Sequence, residues 1–214
     1  MDFDAKVAPD STALLVIDVQ NDFCAKGGAV DRAGGDVSPM QAVMPAMKHL
    51  ISKARESGVA LVFVKAIYDD RFLSEAMRER RAEKGPVRQP TCLSGTWGAD
   101  FYQIGPEDGE VVVEKHRYSA FIRTGLDEML KSRRIKTLVV MGVTTHVCVE
   151  STVRDAFMLD YHVVVAEDCV ASQTTRTQKN SLELMRKYFA DVVPSLDIVE
   201  AWAASTLKGK LLAR

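Results

Sequence analysis

Short apolar runs rich in β-branched residues alternate with helical patterns along most of the chain, and this alternation is the strongest restriction on its fold. The predicted strands occupy residues 13–19, 59–65, 111–114, 137–141, 161–166 and, as an edge strand, 191–193. The predicted helices occupy residues 43–57, 124–132, 146–159 and 177–189. Because strands that alternate with helices pair in parallel, we predict a three-layer α/β/α sandwich around a mainly parallel, Rossmann-like six-stranded sheet.

Length and composition exclude several classes of protein. The 214 residues fit one domain spanning residues 1–214, and the net charge of -1 offers no basic surface for nucleic acid. The sequence has no apolar run of membrane-spanning length and does not begin with a secretory pattern. Four widely separated cysteines without C-x-x-C spacing indicate reduced thiols in the cytoplasm.

Residues 71–110 interrupt the alternation of strands and helices. Residues 71–83 have a helical pattern, whereas the remainder contains several Gly and Pro residues and one Trp. Long irregular connections in compact domains are often binding loops or lids, so we expect this segment to lie near a site.

Three side chains with complementary chemistry stand at or just beyond the ends of predicted strands. Asp18 closes the first strand, Lys115 closes the third, and Cys148 follows the fourth. Binding sites of parallel sheets lie outside the carboxyl ends of the strands, near the point where strand order reverses. We therefore expect the carboxylate, the amine and the thiol to converge at that edge.

The segment before Cys148 predicts how the thiol is presented. Residues 142–148 read Gly-Val-Thr-Thr-His-Val-Cys and lead from a strand end into a helix. Thr144 or Thr145 is suited to cap that helix, which places Cys148 in the first turn. The free N–H groups and the helix dipole at that position stabilise a thiolate and can receive an oxyanion.

Each of the three residues also has a purely structural explanation. Cys148 is consistent with a buried cysteine that packs as a small hydrophobe, and Asp18 with a cap for the turn at residues 20–23. Lys115 is consistent with a side chain that faces solvent. The coincidence of a thiol, an acid and a base at three strand ends favours a cysteine nucleophile over these explanations.

Three ordered motifs carry a resemblance to a known family. They are Leu-Leu-Val-Ile-Asp-Val-Gln-Asn-Asp-Phe at residues 14–23, Glu-Lys at 114–115 and Gly-Val-Thr-Thr-His-Val-Cys-Val-Glu-Ser-Thr at 142–152. Over nearly its whole length the chain resembles the isochorismatase-like cysteine hydrolases. The resemblance implies a catalytic triad with Cys148 as nucleophile, Asp18 as proton carrier and Lys115 as their electrostatic partner.

The same resemblance implies further features of the site and the assembly. It implies a non-proline cis peptide at Val143–Thr144 and an oxyanion hole formed by the N–H groups of Thr144 and Cys148. It also implies a homo-oligomer, either a dimer or a tetramer. The partner expected from this family is a small-molecule substrate, with no cofactor, nucleic acid or membrane involved.

Within the family, the chain most resembles the ureidoacrylate amidohydrolases, through residues 115–121, residues 148–155 and Gly-Thr-Trp at 95–97. Biuret hydrolases and N-carbamoyl amidases share much of this pattern, including a stretch like Phe-Cys-Ala-Lys-Gly-Gly at 23–28. His146 stands where the ureidoacrylate group often has Asn. The implied reaction is hydrolysis of a C–N bond in a small ureido, carbamoyl or amide substrate through a thioester. The alternatives are hydrolysis of biuret or of an N-carbamoyl amino acid, and a nicotinamidase-like reaction.

Two other branches of the family fit less well. True isochorismatases cleave a vinyl ether and lack the nucleophilic cysteine, so Cys148 argues against that reaction. Nicotinamidases carry a metal site with an Asp-x-His element after the second strand. Residues 65–70 read Lys-Ala-Ile-Tyr-Asp-Asp and contain no His, so we expect no metal.

Five further residues are candidates for binding the substrate. Phe23, Trp97 and Tyr118 are suited either to wall a pocket for a planar ureido group or to pack in the core. Arg117 is suited either to pair with a substrate carboxylate or to form a surface salt bridge. His146 is suited to contact the substrate or to bind a local carboxylate.

Two rival functions from other classes use the same features. A binding protein would keep the fold without turnover, although the three converging groups argue against it. A thiol redox sensor built on Cys148 would need a nearby resolving cysteine, which the sequence spacing does not reveal.

Overall fold

The computed structural model describes residues 2–83 and 90–212. Six strands form one parallel sheet in the order β3-β2-β1-β4-β5-β6. Their bounds are β1 (Thr12–Ile17), β2 (Ala60–Ala66), β3 (Val111–Lys115), β4 (Thr137–Val143), β5 (His162–Ala171) and β6 (Asp191–Val193). The strand order reverses between β1 and β4, so the predicted fold is confirmed and its switch point lies in the centre of the sheet.

Helices connect the strands and cover both faces of the sheet. They are α1 (Phe3–Lys6), α2 (Asn21–Cys24), α3 (Ala29–Arg32), α4 (Ser38–Ala42), α5 (Met44–Glu56), α6 (Glu75–Ala82), α7 (Leu126–Ser132), α8 (Glu150–Met158), α9 (Thr175–Tyr188) and α10 (Ser195–Leu212). Short 3-10 helices span Pro9–Ser11, Asp70–Phe72 and Trp97–Ala99. In the part of the chain that the structure describes, no helix is both long and apolar enough to cross a membrane.

Two apolar layers hold these helices against the sheet. Alternate residues of β1 point to opposite faces, so Leu14 packs with the layer that contains α5 and α10, while Leu15 packs with the layer that contains α7, α8 and α9. Both side chains are fully buried. Burial of one such side chain contributes about 1.5–3 kcal/mol to folding stability. The apolar residues of this central strand can therefore offset the cost of burying a polar group at its end.

The sequence missed some elements and misplaced the ends of others. Helix α10 was not predicted, yet it covers one face of the sheet with the fully buried Trp202, whose indole N–H donates to the Val7 carbonyl. Strand β5 runs to Ala171, beyond the predicted end at residue 166, because its pairing with β4 shifts register between Val140 and Gly142. The predicted helix at residues 71–83 is shorter and spans only Glu75–Ala82.

Candidate active site

Asp18 is the first residue after β1 and lies at the switch point of the sheet. Its N–H donates to the Val64 carbonyl at 2.9 Å, which continues the pairing with β2, while its φ of 54° turns the chain out of the strand. The side chain is fully buried. Burial of a carboxylate is costly unless a cation or a proton compensates it, so the surroundings of Asp18 determine its chemistry.

Lys115 supplies that cation from the end of β3. Its Nζ atom lies 2.8 Å from Oδ2 of Asp18 and donates to the Arg117 carbonyl at 3.0 Å. Lys115 has no exposed surface, so the explanation of a solvent-facing lysine is wrong. Neither carboxylate oxygen of Asp18 has a donor in good hydrogen-bond geometry among the described residues, so the Lys115 contact acts on Asp18 mainly through its charge.

Cys148 lies in a π-helical turn, Thr145–Val149, that precedes α8. The N–H groups of Val147 and Val149 both donate to the Thr144 carbonyl, so the thiol comes from a wide turn and not from the first turn of an α-helix. The capping prediction is wrong for both threonines. The Thr144 side chain makes no cap, and the Thr145 hydroxyl donates to Oε1 of Gln178 at 2.7 Å.

Thr152 fixes the backbone of the nucleophile turn. Its hydroxyl donates to the Cys148 carbonyl at 2.7 Å and accepts the N–H of Ala120 at 3.1 Å. Ala120 belongs to the segment that follows β3. One buried hydroxyl therefore connects the turn that carries the thiol to the segment that follows Lys115.

Charges and burial give the three groups distinct protonation properties. Burial raises the pKa of Asp18 above its usual range, and Lys115 and Cys148 offset this only in part. Burial and the Asp18 charge raise the pKa of the Cys148 thiol to about 12, with Lys115 acting in the opposite direction. Burial disfavours the Lys115 ammonium, but Asp18 and Cys148 outweigh that effect and raise its pKa. The resting thiol is therefore protonated at neutral pH, and a base must activate it.

Gly142 allows the central strands to bring Asp18 and Cys148 to the same edge. It pairs with Ile17 in register, and a Cβ atom at this position would lie 2.1 Å from the Ile17 carbonyl oxygen. Its φ of 135° also lies in a region that favours glycine. The Val143–Thr144 peptide that follows is cis, as the family resemblance implies.

Gln20 anchors the edge of the site, a role that the sequence did not reveal. Its amide N–H groups donate to the carbonyls of Ala66 and Ala99, and its Oε1 accepts the Ala66 N–H at 2.8 Å. The fully buried side chain thus joins the ends of β1 and β2 to the Trp97–Ala99 turn. The signals in the sequence were its position two residues after a strand-ending Asp and its place in the motif at residues 14–23.

Asp22 holds the irregular loop that the sequence predicted near the site. Its carboxylate accepts the N–H groups of Ala29 and Cys92, at 2.9 and 2.6 Å. Gly98 packs so closely that a Cβ atom there would overlap the same carboxylate. Residues 84–89 of the loop lie outside the described part of the chain. From residue 90 onward, hydrogen bonds from the motif after β1 position the loop.

The candidate substrate-binding residues differ in their surroundings. Trp97 and Tyr118 are 53% and 45% exposed, so ordinary core packing is wrong for both, while Phe23 is half-buried against two apolar clusters. Nη1 of Arg117 donates to the carbonyls of Phe72 and His116, and these contacts take the place of the surface salt bridge that was the structural alternative. His146 is exposed, and its Nδ1 lies 2.9 Å from the Ser172 hydroxyl, so its hydrogen-bond partner is a serine and not the local carboxylate of the structural alternative. Partial desolvation of its imidazole outweighs the opposing effect of Glu150 and lowers the His146 pKa.

Within the described ranges, no three His, Cys, Asp or Glu side chains come together in an arrangement that could hold a metal ion. The segment after β2 contributes Tyr68 and Asp69, and Asp69 accepts hydrogen bonds from the N–H and the hydroxyl of Ser94. These donor groups do not form a metal-binding set.

The fold is a three-layer α/β/α sandwich, and the edge at its switch point carries a thiol, an amine and a carboxylate at the strand ends. The isochorismatase domain model matches residues 12–196, and the chain belongs to the isochorismatase family. Ureidoacrylate amidohydrolase RutB from Enterobacter sp. (strain 638) is 35% identical in a match that covers 94% of this chain and 93% of that protein.

Solved structures agree with this assignment. An isochorismatase family protein from Desulfovibrio vulgaris is 31% identical, with a TM-score of 0.74 over 95% of this chain and 99% of the other. A cysteine hydrolase from Pseudomonas syringae has a TM-score of 0.80 over 94% of this chain and 96% of the other, and its 24% identity supports the fold alone. The family predicted from the sequence motifs is therefore confirmed, and the chain is a hydrolase of the class that acts on C–N bonds.

Proposed function

We propose that the protein is a cysteine amidohydrolase that cleaves a C–N bond of a small ureido, carbamoyl or amide substrate through a thioester. The observation that carries the proposal is the fully buried Asp18–Lys115 pair beside Cys148. A buried acid with a raised pKa, a permanent cation and a neutral thiol together form a nucleophile with its own base. The similarity to the ureidoacrylate amidohydrolases supports this substrate class.

In the acylation step, Asp18 accepts the thiol proton and the Cys148 sulfur attacks the carbonyl carbon of the substrate. Lys115 keeps its proton and balances the negative charge, which moves from the carboxylate to the sulfur. The protonated Asp18 then gives its proton to the leaving nitrogen as the C–N bond breaks. A raised pKa suits Asp18 to both roles, because it makes the carboxylate a stronger base toward the thiol than an ordinary carboxylate.

In the deacylation step, Asp18 accepts a proton from water, and the resulting hydroxide attacks the thioester carbonyl. The C–S bond breaks, its electron pair returns to sulfur, and Asp18 returns the proton to the thiol. The N–H groups of Thr144 and Cys148 receive the oxyanion in both steps. A donor of this kind contributes about 3 kcal/mol to transition-state stabilisation in other enzymes.

Substrate recognition is proposed to involve Phe23, Trp97, Arg117, Tyr118 and His146. The exposed rings of Trp97 and Tyr118 suit the faces of a planar ureido group, because both combine a flat apolar surface with a polar atom. Nη1 of Arg117 is held by two carbonyls, which fixes the guanidinium plane for contact with a substrate carboxylate. These two properties favour a planar substrate that carries an acid group.

We also propose that the enzyme acts in the cytoplasm as a homo-oligomer. All four cysteines are free and buried, which suits a reducing compartment. Several large apolar side chains remain exposed on one chain, among them Phe157, Met158 and Leu159, and such residues are common at contacts between copies. Sedimentation of the purified protein would measure the oligomeric state directly.

A substrate panel tests the proposed reaction. The protein is incubated with ureidoacrylate, biuret, N-carbamoyl amino acids and nicotinamide, and release of ammonia or carbamate is measured. We expect turnover of a ureido or carbamoyl compound and a thioester adduct on Cys148 detectable by mass spectrometry after acid quenching. Turnover of nicotinamide alone would support the amidase alternative. Absence of both turnover and adduct with every compound would favour a binding protein.

A further inference from the structure

Tyr68 is a buried side chain beside the thiol that the proposed reaction does not use. It lies two residues beyond β2, and its hydroxyl oxygen is 4.0 Å from Sγ of Cys148. The ring is buried, and the Lys115 ammonium lies 5.8 Å from its centre. Tyr68 therefore contacts two of the three groups in the site, with its hydroxyl toward the sulfur and its ring toward the cation.

The surroundings of Tyr68 hold this hydroxyl in place. Its N–H donates to the Cys92 carbonyl at 3.0 Å, and its ring packs in an apolar cluster with Ile67 and Cys92. The adjacent Ile67 carbonyl contacts Nδ1 of His116 at 2.8 Å, and the His116 ring stacks on Phe72 at 3.6 Å. The segment after β2 is thus fastened to the segment after β3 on the side where Lys115 lies.

The protonation properties of the two groups indicate which of them is the donor. Burial raises the pKa of Tyr68 well above its usual value, and the neighbouring Cys148 and Asp18 charges raise it further. The phenol therefore keeps its proton throughout the working range. Once Asp18 has removed the thiol proton in the proposed reaction, the ionised sulfur has no proton to donate and can only accept from the Tyr68 hydroxyl.

We infer that Tyr68 is a catalytic residue that donates a hydrogen bond to the Cys148 sulfur whenever that sulfur is negatively charged. The inference rests on the proposed function. In acylation, the bond forms as Asp18 removes the thiol proton. In deacylation, it forms again as the C–S bond breaks and the electron pair returns to sulfur. Tyr68 keeps its own proton in both steps, so no additional reactant is needed.

The test compares Tyr68→Phe with a matched control, Tyr161→Phe. Tyr161 is equally buried, but its hydroxyl donates to Oδ1 of Asp127, away from the site. The first readout is the rate of alkylation of Cys148 by iodoacetamide from pH 6 to 9.5, which needs no substrate. Loss of a hydrogen bond to a charged sulfur raises the thiol pKa by about one unit, which lowers the thiolate fraction about tenfold.

The remaining thiolate is intrinsically about threefold more reactive, since nucleophilicity rises with pKa. We therefore expect Tyr68→Phe to be alkylated about threefold more slowly at every pH, and kcat to fall about tenfold with little change in KM. Tyr161→Phe should match the wild type in both readouts. Wild-type alkylation rates and kcat in Tyr68→Phe would overturn the inference. Slowed alkylation in a protein that turns over no substrate would support the hydrogen bond from Tyr68 to the sulfur and refute the proposed function.

Discussion

Nζ of Lys115 lies 2.8 Å from Oδ2 of Asp18, and neither side chain has any exposed surface. A buried pair of this kind is expensive to assemble, because both charges lose their hydration. It is also sensitive to disruption, because removal of one partner leaves the other charge buried alone. Substitutions in this pair therefore test its contribution to stability separately from its contribution to activity.

Removal of Lys115 is expected to cost stability in a pH-dependent way. In Lys115→Met, the already raised pKa of Asp18 rises further. When folding raises the pKa of a carboxyl group, the folded state binds its proton more tightly than the unfolded state. The resulting contribution to stability is fully present below the ordinary pKa of 3.8 and is lost as the pH rises through the pKa of the folded state. We expect the variant to lose about 3–5 kcal/mol of unfolding free energy at pH 8 and less at pH 5, measured by urea titration.

The control for this variant is Lys65→Met, because Lys65 forms a partly exposed pair with Glu114 on the same two strands. That change should cost no more than about 1 kcal/mol at either pH. Adding Asp18→Asn to Lys115→Met should restore much of the stability and none of the activity. Equal losses in the two single lysine variants would contradict the assignment of a costly buried pair.

Cys148→Ala is expected to abolish turnover and leave the fold intact. The residue lies in a turn whose backbone is held by Thr152, which does not depend on the sulfur. Alkylation should label Cys148 ahead of Cys24, Cys92 and Cys169, because Cys148 is 5% exposed and the other three have no exposed surface. Peptide mapping after limited alkylation measures the order. Cys169→Ala is the matched control, and activity that survived in Cys148→Ala would end the covalent mechanism.

The pH dependence of kcat/KM should show a loss on the acidic side and a broad alkaline plateau. Asp18 must be ionised to accept the thiol proton, so activity falls as the pH drops through its pKa. Because that pKa is raised, the acidic limb should lie above the ordinary carboxyl value of 3.8. Lys115 has a raised pKa and the thiol titrates at about 12, so we expect no decline up to about pH 10. A decline between pH 7 and 9 would mean that a group needed in its protonated form titrates there, which would contradict the raised pKa values of Lys115 and Cys148.

Dialysis against a strong chelator is expected to leave the rate unchanged. The proposed chemistry is carried out by protein side chains and N–H groups alone, and the donors after β2 do not form a metal-binding set. The measurement compares kcat before and after dialysis, with and without added zinc. A loss that zinc or another divalent ion reversed would replace this mechanism with a metal-assisted one.

Gln20→Leu should weaken the edge of the site without touching the reacting groups. The change leaves the buried Ala66 N–H and the carbonyls of Ala66 and Ala99 without their present partner. We expect a loss of about 3 kcal/mol of unfolding free energy and a higher KM, because the loop that carries Trp97 loses its anchor. Gln173→Leu changes an exposed glutamine in the same way and should stay within about 0.5 kcal/mol of the wild type.

The sequence predicted the parts of the molecule that depend on local pattern. Apolar runs bounded by turn residues located all six strands, and the placement of Asp18 and Lys115 at strand ends followed from those runs. The π turn around Cys148 was missed because it spans only five residues, too few for apolar spacing to distinguish a π turn from the start of an α-helix. The roles of Gln20 and Tyr68 were also missed, since both depend on partners at least 46 residues away in the chain.

Gly142 restricts which amino-acid substitutions the site can accept. A Cβ atom at position 142 would overlap main-chain atoms of Ile17, the residue before Asp18. A methyl group at position 142 would be accommodated only by parting the two central strands, which would lengthen the path of the proton from sulfur to carboxylate. A residue without any functional group therefore sets the span of the proton transfer, and drift at this position would slow the reaction while every reacting side chain stayed in place.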